Sequence, residues 1–157
     1  KPIPIGEYIT SHELYLLSMT KCCEVITENF DKLIDEKIIK LPQTGCGSYC
    51  DTFARFFHIN WQMNWVDLER RFRVHSHPYL PAFFYIGSYC FYVKKAEIDS
   101  KTSYIAGKPG RVLNVEENGS FSISCADSAV NLVSYDTYPI LDDEHRNLVI
   151  FPGAIAD

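Results

Sequence analysis

Few residues in this chain of 157 amino acids could do chemistry, and the first to consider are the arginines at positions 70, 71 and 73. A guanidinium such as that of Arg73 can hold a phosphate or a carboxylate through paired hydrogen bonds. The alternative is structural, because Asp67 lies close enough on a helix to pair with Arg70 or Arg71, leaving the remaining charge in solvent. We take Arg73 and Tyr79 as the candidate substrate-binding residues, with a plain surface role as the alternative for the arginines.

The other reactive side chains give weaker signals. His75 and His77 flank a turn and could titrate near neutral pH, but most histidines at such positions are only hydrogen-bonded, so we predict neither as catalytic. Cys46 and Cys50, with His58 or with His75 and His77 as further ligands, invite a zinc interpretation, but their spacing lacks the paired C-x-x-C pattern of structural zinc. We therefore predict no metal site. The sequence also has no glycine-rich phosphate loop and no nucleophile beside a base, so we predict no catalytic residue.

Charge and cysteine usage narrow the class of protein. The net charge is −5, and residues 80–157 carry six Lys and Arg against ten Asp and Glu. Proteins that bind nucleic acids present a basic face, so nucleic acid is an unlikely partner. The six cysteines lie in helical, loop and strand patterns without signs of secretion, and we interpret them as reduced. No charged-then-apolar leader follows Lys1, so we expect neither a signal peptide nor a membrane span. We therefore predict a cytoplasmic location.

Two helices are predicted before the β-rich part. Thr10 to Glu13 fits a capping box, which starts a helix of about seven turns ending near Lys40, ahead of Pro42. Asn64 is a good N-cap for a second helix from Trp65 to about Val74. Apolar residues recur in the first helix at steps of three and four, which predicts one buried stripe. The stripe comprises Leu14, Leu17, Cys22, Val25, Ile26, Phe30, Leu33, Ile34 and Ile38.

The remainder has the residue types and short lengths of strands. The dipeptide Asn118-Gly119 predicts a type I′ turn between the third and fourth strands. The predicted strands are Ala82–Ile86, Tyr89–Ile98, Arg111–Glu116, Phe121–Cys125, Val130–Asp136 and a last edge strand Leu148–Phe151. The predicted fold class is α+β: a long linker helix and a short second helix, followed by a small, partly open β-barrel of five to six strands, similar to an oligonucleotide-binding barrel.

The segment HPYLPAFFYI, His77–Ile86, resembles the proline-bracketed, aromatic-rich entry to the C-terminal domain of 10-formyltetrahydrofolate-dependent formyltransferases. This family contains methionyl-tRNA formyltransferase and the sugar N-formyltransferases. The chain departs from the family at Asn60, where the family usually has an aspartate, and at Leu80, which precedes Pro81-Ala82 where the family has Pro-Gly-Ala. These departures leave the acceptor open. Four further pieces fall in the family's order: Ile59-Asn60-Trp61, Leu68–Val74, Pro109-Gly110-Arg111-Val112-Leu113 and Phe151-Pro152-Gly153.

The resemblance implies that catalysis and the C-terminal domain belong to different parts of the parent protein. Residues 1–58 would be the tail of a catalytic half with a linker helix and loop, and residues 59–157 the C-terminal domain. A missing N-terminal half would bind 10-formyltetrahydrofolate and supply the catalytic asparagine, histidine and aspartate, so no cofactor is expected on this chain and the chain alone should be inactive. Arg73 would then lie at the seam between the two halves.

Three functions remain open at this point. The acidic barrel favours a small-molecule amine, such as an amino sugar nucleotide, over tRNA as the acceptor of a formyltransferase. The alternatives are a free-standing barrel that binds single-stranded nucleic acid and a pure oligomerisation module. The last would use the aromatic strands Phe83-Phe84-Tyr85 and Tyr89-Cys90-Phe91-Tyr92 as a subunit contact.

Overall fold

The chain was analysed as a computed structural model that describes residues 2–35, 37–39, 42, 44–47, 57–100 and 108–157. It divides into two compact units, Lys1–Thr52 and Phe53–Asp157. Cys50, which was considered above as a zinc ligand, lies outside the described residues.

The first unit contains helix α1, Ser11–Ile34. Its start is confirmed: Thr10 Oγ1 accepts from the backbone N–H of Glu13, whose carboxylate accepts from the backbone N–H of Thr10 at 2.8 Å. The predicted end near Lys40 is wrong, because Asp35 caps the helix after Ile34. There the N–H of Lys37 donates to the carbonyl of Lys32, which uses one of the last helical carbonyls and turns the chain away.

The predicted burial of the apolar stripe on α1 is also wrong. No residue of α1 is buried. Ile26, Phe30, Leu33 and Ile34 are all exposed. The sequence predicted the helix correctly because its periodicity is local, whereas burial requires a second surface.

The second unit begins with helix α2, Trp65–Val74, which matches the prediction, as does its N-cap Asn64. The first strands are β1, Phe83–Ile86, and β2, Tyr89–Ile98. They are followed by β3, Val112–Val115; β4, Phe121–Ser124; and β5, Ala129–Tyr138. Helix α3, Asp143–Val149, follows the last strand.

The five strands form one antiparallel sheet in the order β1-β2-β5-β4-β3. Its two edge strands are joined through the C-terminal residues. Ala154 accepts from the N–H of Val112 in β3 at 2.8 Å, and Asp157 exchanges two main-chain hydrogen bonds with Tyr85 in β1. The sheet therefore curls, and its backbone edges are hydrogen-bonded by a short extended run, as edge strands require.

The core lies inside the curl. Phe84 stacks on Phe91 with ring centroids 5.1 Å apart, and Trp61 meets Phe84 edge-on at 5.2 Å. Leu68 brings α2 into this core and is fully buried. Side chains alternate along β1, so Phe84 and Ile86 face inward while Phe83 and Tyr85 face outward.

Two predictions in the β-rich unit are corrected. Leu148 and Val149 belong to α3 instead of an edge strand, because Asp142 caps a helix by accepting from the N–H of His145, and residues 153–157 take the edge position. The turn between β3 and β4 is shifted by one residue. The N–H of Gly119 donates to the carbonyl of Glu116, so residues 116–119 form the turn. Gly119 is its last residue and has a φ of +84°, which is the pattern of a three-residue hairpin loop with a bulge.

Candidate functional site

Arg73 lies in the last turn of α2. Trp65 donates its backbone N–H to the Asp127 carboxylate at 2.8 Å, which fixes the start of this helix against the loop after β4. Arg73 Nε bonds Glu69 Oε1 at 2.6 Å, and the two side chains are only 20% and 26% exposed. The guanidinium is therefore oriented by a partly buried carboxylate one turn earlier in the helix.

The neighbouring arginines make local contacts, in agreement with the structural alternative. Arg70 pairs with Asp67 at 3.3 Å on the surface. Arg71 Nη1 donates to the carbonyl of His58 at 3.5 Å, which ties α2 to the strand-like segment before it. An exposed pair such as Arg70 with Asp67 adds little stability.

Tyr79 lies in the turn after α2, where its N–H donates to the carbonyl of Ser76. Its side chain is exposed. Arg73 thus lies in the last turn of α2 and Tyr79 in the connection that follows it, and their joint binding of a substrate stays a prediction.

A cleft of about 300 Å³ lies beside the C-terminal residues, and the sequence analysis did not predict it. Trp61 forms part of its wall, and the buried Nε1 of this side chain has no hydrogen-bond partner. Across the cleft, His58 Nε2 lies 3.1 Å from the carbonyl oxygen of Asp157, and Lys108 brings a positive charge to the rim. The motif Ile59-Asn60-Trp61 marks one wall, but nothing in the sequence indicates that residues 155–157 form the other.

A second groove, of about 610 Å³, lies between the β3–β4 turn and α3. Arg146 Nη2 pairs with Asp143 at 2.6 Å, and the guanidinium lies against Gly119. Tyr135 donates its hydroxyl to the carbonyl of Gly119 at 2.8 Å. Burial raises the pKa of Tyr135, so the phenol remains a donor at neutral pH. Among the described residues that line the groove, these contacts are the ones that could do chemistry.

The remaining chemistry-bearing residues are dispersed. Cys22, Cys23 and Cys46 are exposed thiols, and Cys90 and Cys125 are buried ones. Among the described residues there is no group of three or more His, Cys, Asp or Glu side chains arranged to hold a metal ion. Within the same part of the chain, no helix is long and apolar enough to cross a membrane.

The fold and these sites define a small α+β domain whose curled antiparallel sheet carries clefts at its ends. Residues 54–137 match the family model described as "Formyl transferase, C-terminal domain". Because this match covers more than half of the chain, the chain belongs to that family, and the resemblance seen in the sequence is confirmed at this level. No curated protein matches the sequence.

Solved structures of HypX from Aquifex aeolicus have a similar fold. The structure of HypX in complex with tetrahydrofolic acid has a TM-score of 0.63 at 16% sequence identity, with 85% of this chain and 23% of that chain covered. Two HypX variants give TM-scores of 0.64 and 0.63, also at 16% identity, with 85% and 86% of this chain and 23% of each HypX chain covered. The chain thus spans about a quarter of the length of the HypX chains, and the likeness at this identity concerns the fold.

Proposed function

We propose that this chain is the C-terminal part of a formyltransferase that moves a formyl group from 10-formyltetrahydrofolate to an amine. The observation that carries the proposal is the family match over residues 54–137. The fold shared with HypX, a protein whose structure was solved with tetrahydrofolic acid, supports a folate-type cofactor in the parent enzyme.

In this proposal the chain positions the acceptor or assembles the enzyme, and the chemistry belongs to an N-terminal catalytic half that holds the folate. Two of the five described histidines, His58 and His145, support this division. His145 is exposed and bonds Asp142 within one helical turn, and His58 bonds a main-chain carbonyl. General acid–base catalysis needs a side chain within reach of a reacting group in a site that excludes water, and neither histidine has such surroundings.

The catalytic half would dock on the apolar face of α1. Phe30 and Ile26 are more than half exposed there, and Tyr15, Met19 and Leu33 lie on the same face. Burying such a stripe is what normally stabilises an amphipathic helix of this length, so a covering surface is expected.

The acceptor would be a small-molecule amine, such as an amino sugar nucleotide, and not tRNA. The acidic residues 80–157 would repel a polyphosphate chain, whereas a single phosphate group needs only one well-held guanidinium. Arg73, oriented by Glu69, and the exposed Tyr79 are the residues we assign to that contact.

Formyl transfer by the enzyme that contains this chain tests the docking surface. Phe30→Asp puts a charge into the apolar face of α1 and should lower the rate severalfold or more, while Thr20→Asp, on another face of the same helix, should leave it unchanged. Equal rates for both variants would overturn the proposed docking.

Arg73→Met tests the acceptor site. It should raise KM for a phosphate-bearing amine with little change in kcat, because a binding contact far from the reacting atoms acts on affinity. Calorimetric titration of the chain with a nucleotide sugar, a folate analogue and a short single-stranded oligonucleotide separates the alternatives. Salt-sensitive binding of the oligonucleotide would favour a nucleic-acid-binding barrel instead.

An assembly role is the second candidate, and it is compatible with the first. The observation that favours it is the exposure of Tyr85 and Tyr138 on the outer surface of the sheet.

A further inference from the structure

The outer surface of β1, β2 and β5 carries a set of aromatic side chains that the core does not use, which we name the tyrosine face. Side chains alternate across the sheet, so the residues beside buried Phe84 and Phe91 point outward. Strand pairing sets Tyr85 opposite Cys90, and Cys90 in turn opposite Tyr138. The tyrosine face consists of His58, Phe83, Tyr85, Cys90, Tyr92 and Tyr138.

The rings of the tyrosine face are held in place by one another. Phe83 meets Tyr85 edge-on at 5.8 Å between centroids and Tyr92 at 6.2 Å. The ring of His58 lies 5.3 Å from Phe83 and 6.0 Å from Tyr85. A surface of mutually packed rings loses little conformational freedom when it is covered, which lowers the entropic cost of binding.

The centre of the face is neutral. Cys90 is only 6% exposed, beneath the tyrosines. Its proximity raises the pKa of Tyr85, and its hydrogen bond with Tyr92 raises the pKa of that phenol as well. Both hydroxyl groups therefore keep their protons at neutral pH, and each can donate as well as accept a hydrogen bond.

These properties favour a second copy of the same chain as the partner, bound through the same tyrosine face. A two-fold contact brings the same patch together from both copies, so the patch must complement itself. Neutral hydroxyl groups do so, because each is donor and acceptor, whereas a patch of one charge sign would repel its copy. At the border, Lys94 pairs with Asp136 at 2.7 Å, so the rim offers one charge of each sign to a two-fold mate.

We propose that the tyrosine face is a self-association surface, through which two copies of this chain pair about a two-fold axis. This pairing deepens the assembly role proposed above and rests on it. The chain carries a net charge of −5, so two copies repel each other over most of their surface and approach at lowest cost where charge is absent.

The size of the face sets the strength of the contact. Tyr138 is 72% and Tyr85 is 42% exposed, and a large aromatic residue buries roughly 200 Å² when covered, so these two supply about 230 Å² per copy. A standard interface buries about 800 Å² per partner. The two tyrosines thus supply little more than a quarter of a standard interface, and we expect a weak dimer that dissociates on dilution.

Sedimentation equilibrium of the full chain tests the proposal. The mass should rise from 18.0 kDa towards twice that value with increasing concentration. Tyr138→Glu and Tyr85→Glu place a charge in the face at exposed positions, where the fold tolerates it, and each should weaken the dimer at least tenfold. Leu148→Glu, which also replaces an exposed apolar residue but lies outside the face, should leave the dimer unchanged.

A chain that stays at 18.0 kDa up to about 1 mM, the weak end of measurable affinity, would overturn the proposal. So would a dimer that Leu148→Glu dissociates and Tyr138→Glu does not. Sedimentation measures only the mass of the particle, so it can refute the dimer without bearing on formyl transfer. The proposed role in formyl transfer is tested separately with the α1 and Arg73 variants.

Discussion

Replacing Gly110 by alanine tests how the C-terminal residues hold the curled sheet. Gly110 has a φ of +91°, a conformation that costs other residues about 1–2 kcal/mol. A Cβ atom at this position would lie 2.6 Å from the carbonyl oxygen of Ala156 and 3.5 Å from Cδ1 of Trp61. Cβ atoms in proteins essentially never approach another atom as closely as the first distance, so the backbone around Ala156 must move.

The movement has a measurable cost. Ala156 donates to Gly110 at 2.7 Å and Val112 donates to Ala154 at 2.8 Å, and weakening these two bonds costs about 1 kcal/mol each. Together with the backbone strain, Gly110→Ala should lower the free energy of unfolding by about 3–4 kcal/mol.

Gly153→Ala is the matched control. Its φ is +101°, and no atom lies within 4 Å of the position of its Cβ, so it carries the strain without the clash. It should cost only about 1–2 kcal/mol. Urea denaturation followed by tryptophan fluorescence measures both, and Trp61 reports on the affected site. Equal losses for the two variants, within about 0.5 kcal/mol, would refute the reasoning.

Three further outcomes are expected. Leu68→Ala should lower the free energy of unfolding in urea by about 2–5 kcal/mol, because Leu68 is fully buried, while exposed Val66→Ala should change it by under about 0.5 kcal/mol. The main-chain N–H of His145 lowers the pKa of the Asp142 carboxyl below its ordinary value of 3.8. The stability that this hydrogen bond adds is therefore present above pH 3.8 and is lost as the pH falls through the pKa of Asp142 in the folded protein. In a carbon-13 titration, His145→Ala should keep most of the lowering of the Asp142 pKa, because the main-chain N–H remains. Tyr135→Phe should cost about 1 kcal/mol in thermal unfolding, since it removes one partly buried hydrogen bond. A loss of the Asp142 shift in His145→Ala, or no loss of stability in Tyr135→Phe, would contradict the assigned bonds.

Local signals in the sequence were sufficient for much of the secondary structure. The capping box at Thr10 and Glu13 and the N-cap Asn64 place the starts of both helices, because a cap depends on neighbours within four residues. The bounds of β2 also follow directly from its residue types. The ordered motifs from Ile59 onward identified the family that the match over residues 54–137 confirms.

Positions that depend on distant partners could not be predicted in the same way. The run Leu148–Phe151 has the composition of a strand, but the Asp142 cap begins a helix there and residues 153–157 bond both edges of the sheet. The cleft beside Trp61 likewise needs Asp157 to return to His58 across almost the whole second unit. No local pattern encodes that return.

The sequence by itself therefore determined the helix starts, the strand composition and the family, since each depends on short-range chemistry. Only the tertiary structure decided which apolar surfaces are covered. The stripe on α1 and the side chains of Tyr85 and Tyr138 are apolar or aromatic, like the core at Phe84 and Phe91, yet none of them is buried. The physical reason is that an apolar side chain is buried only when a second surface covers it. The local sequence shows that a surface is apolar, but it does not show which other surface covers it.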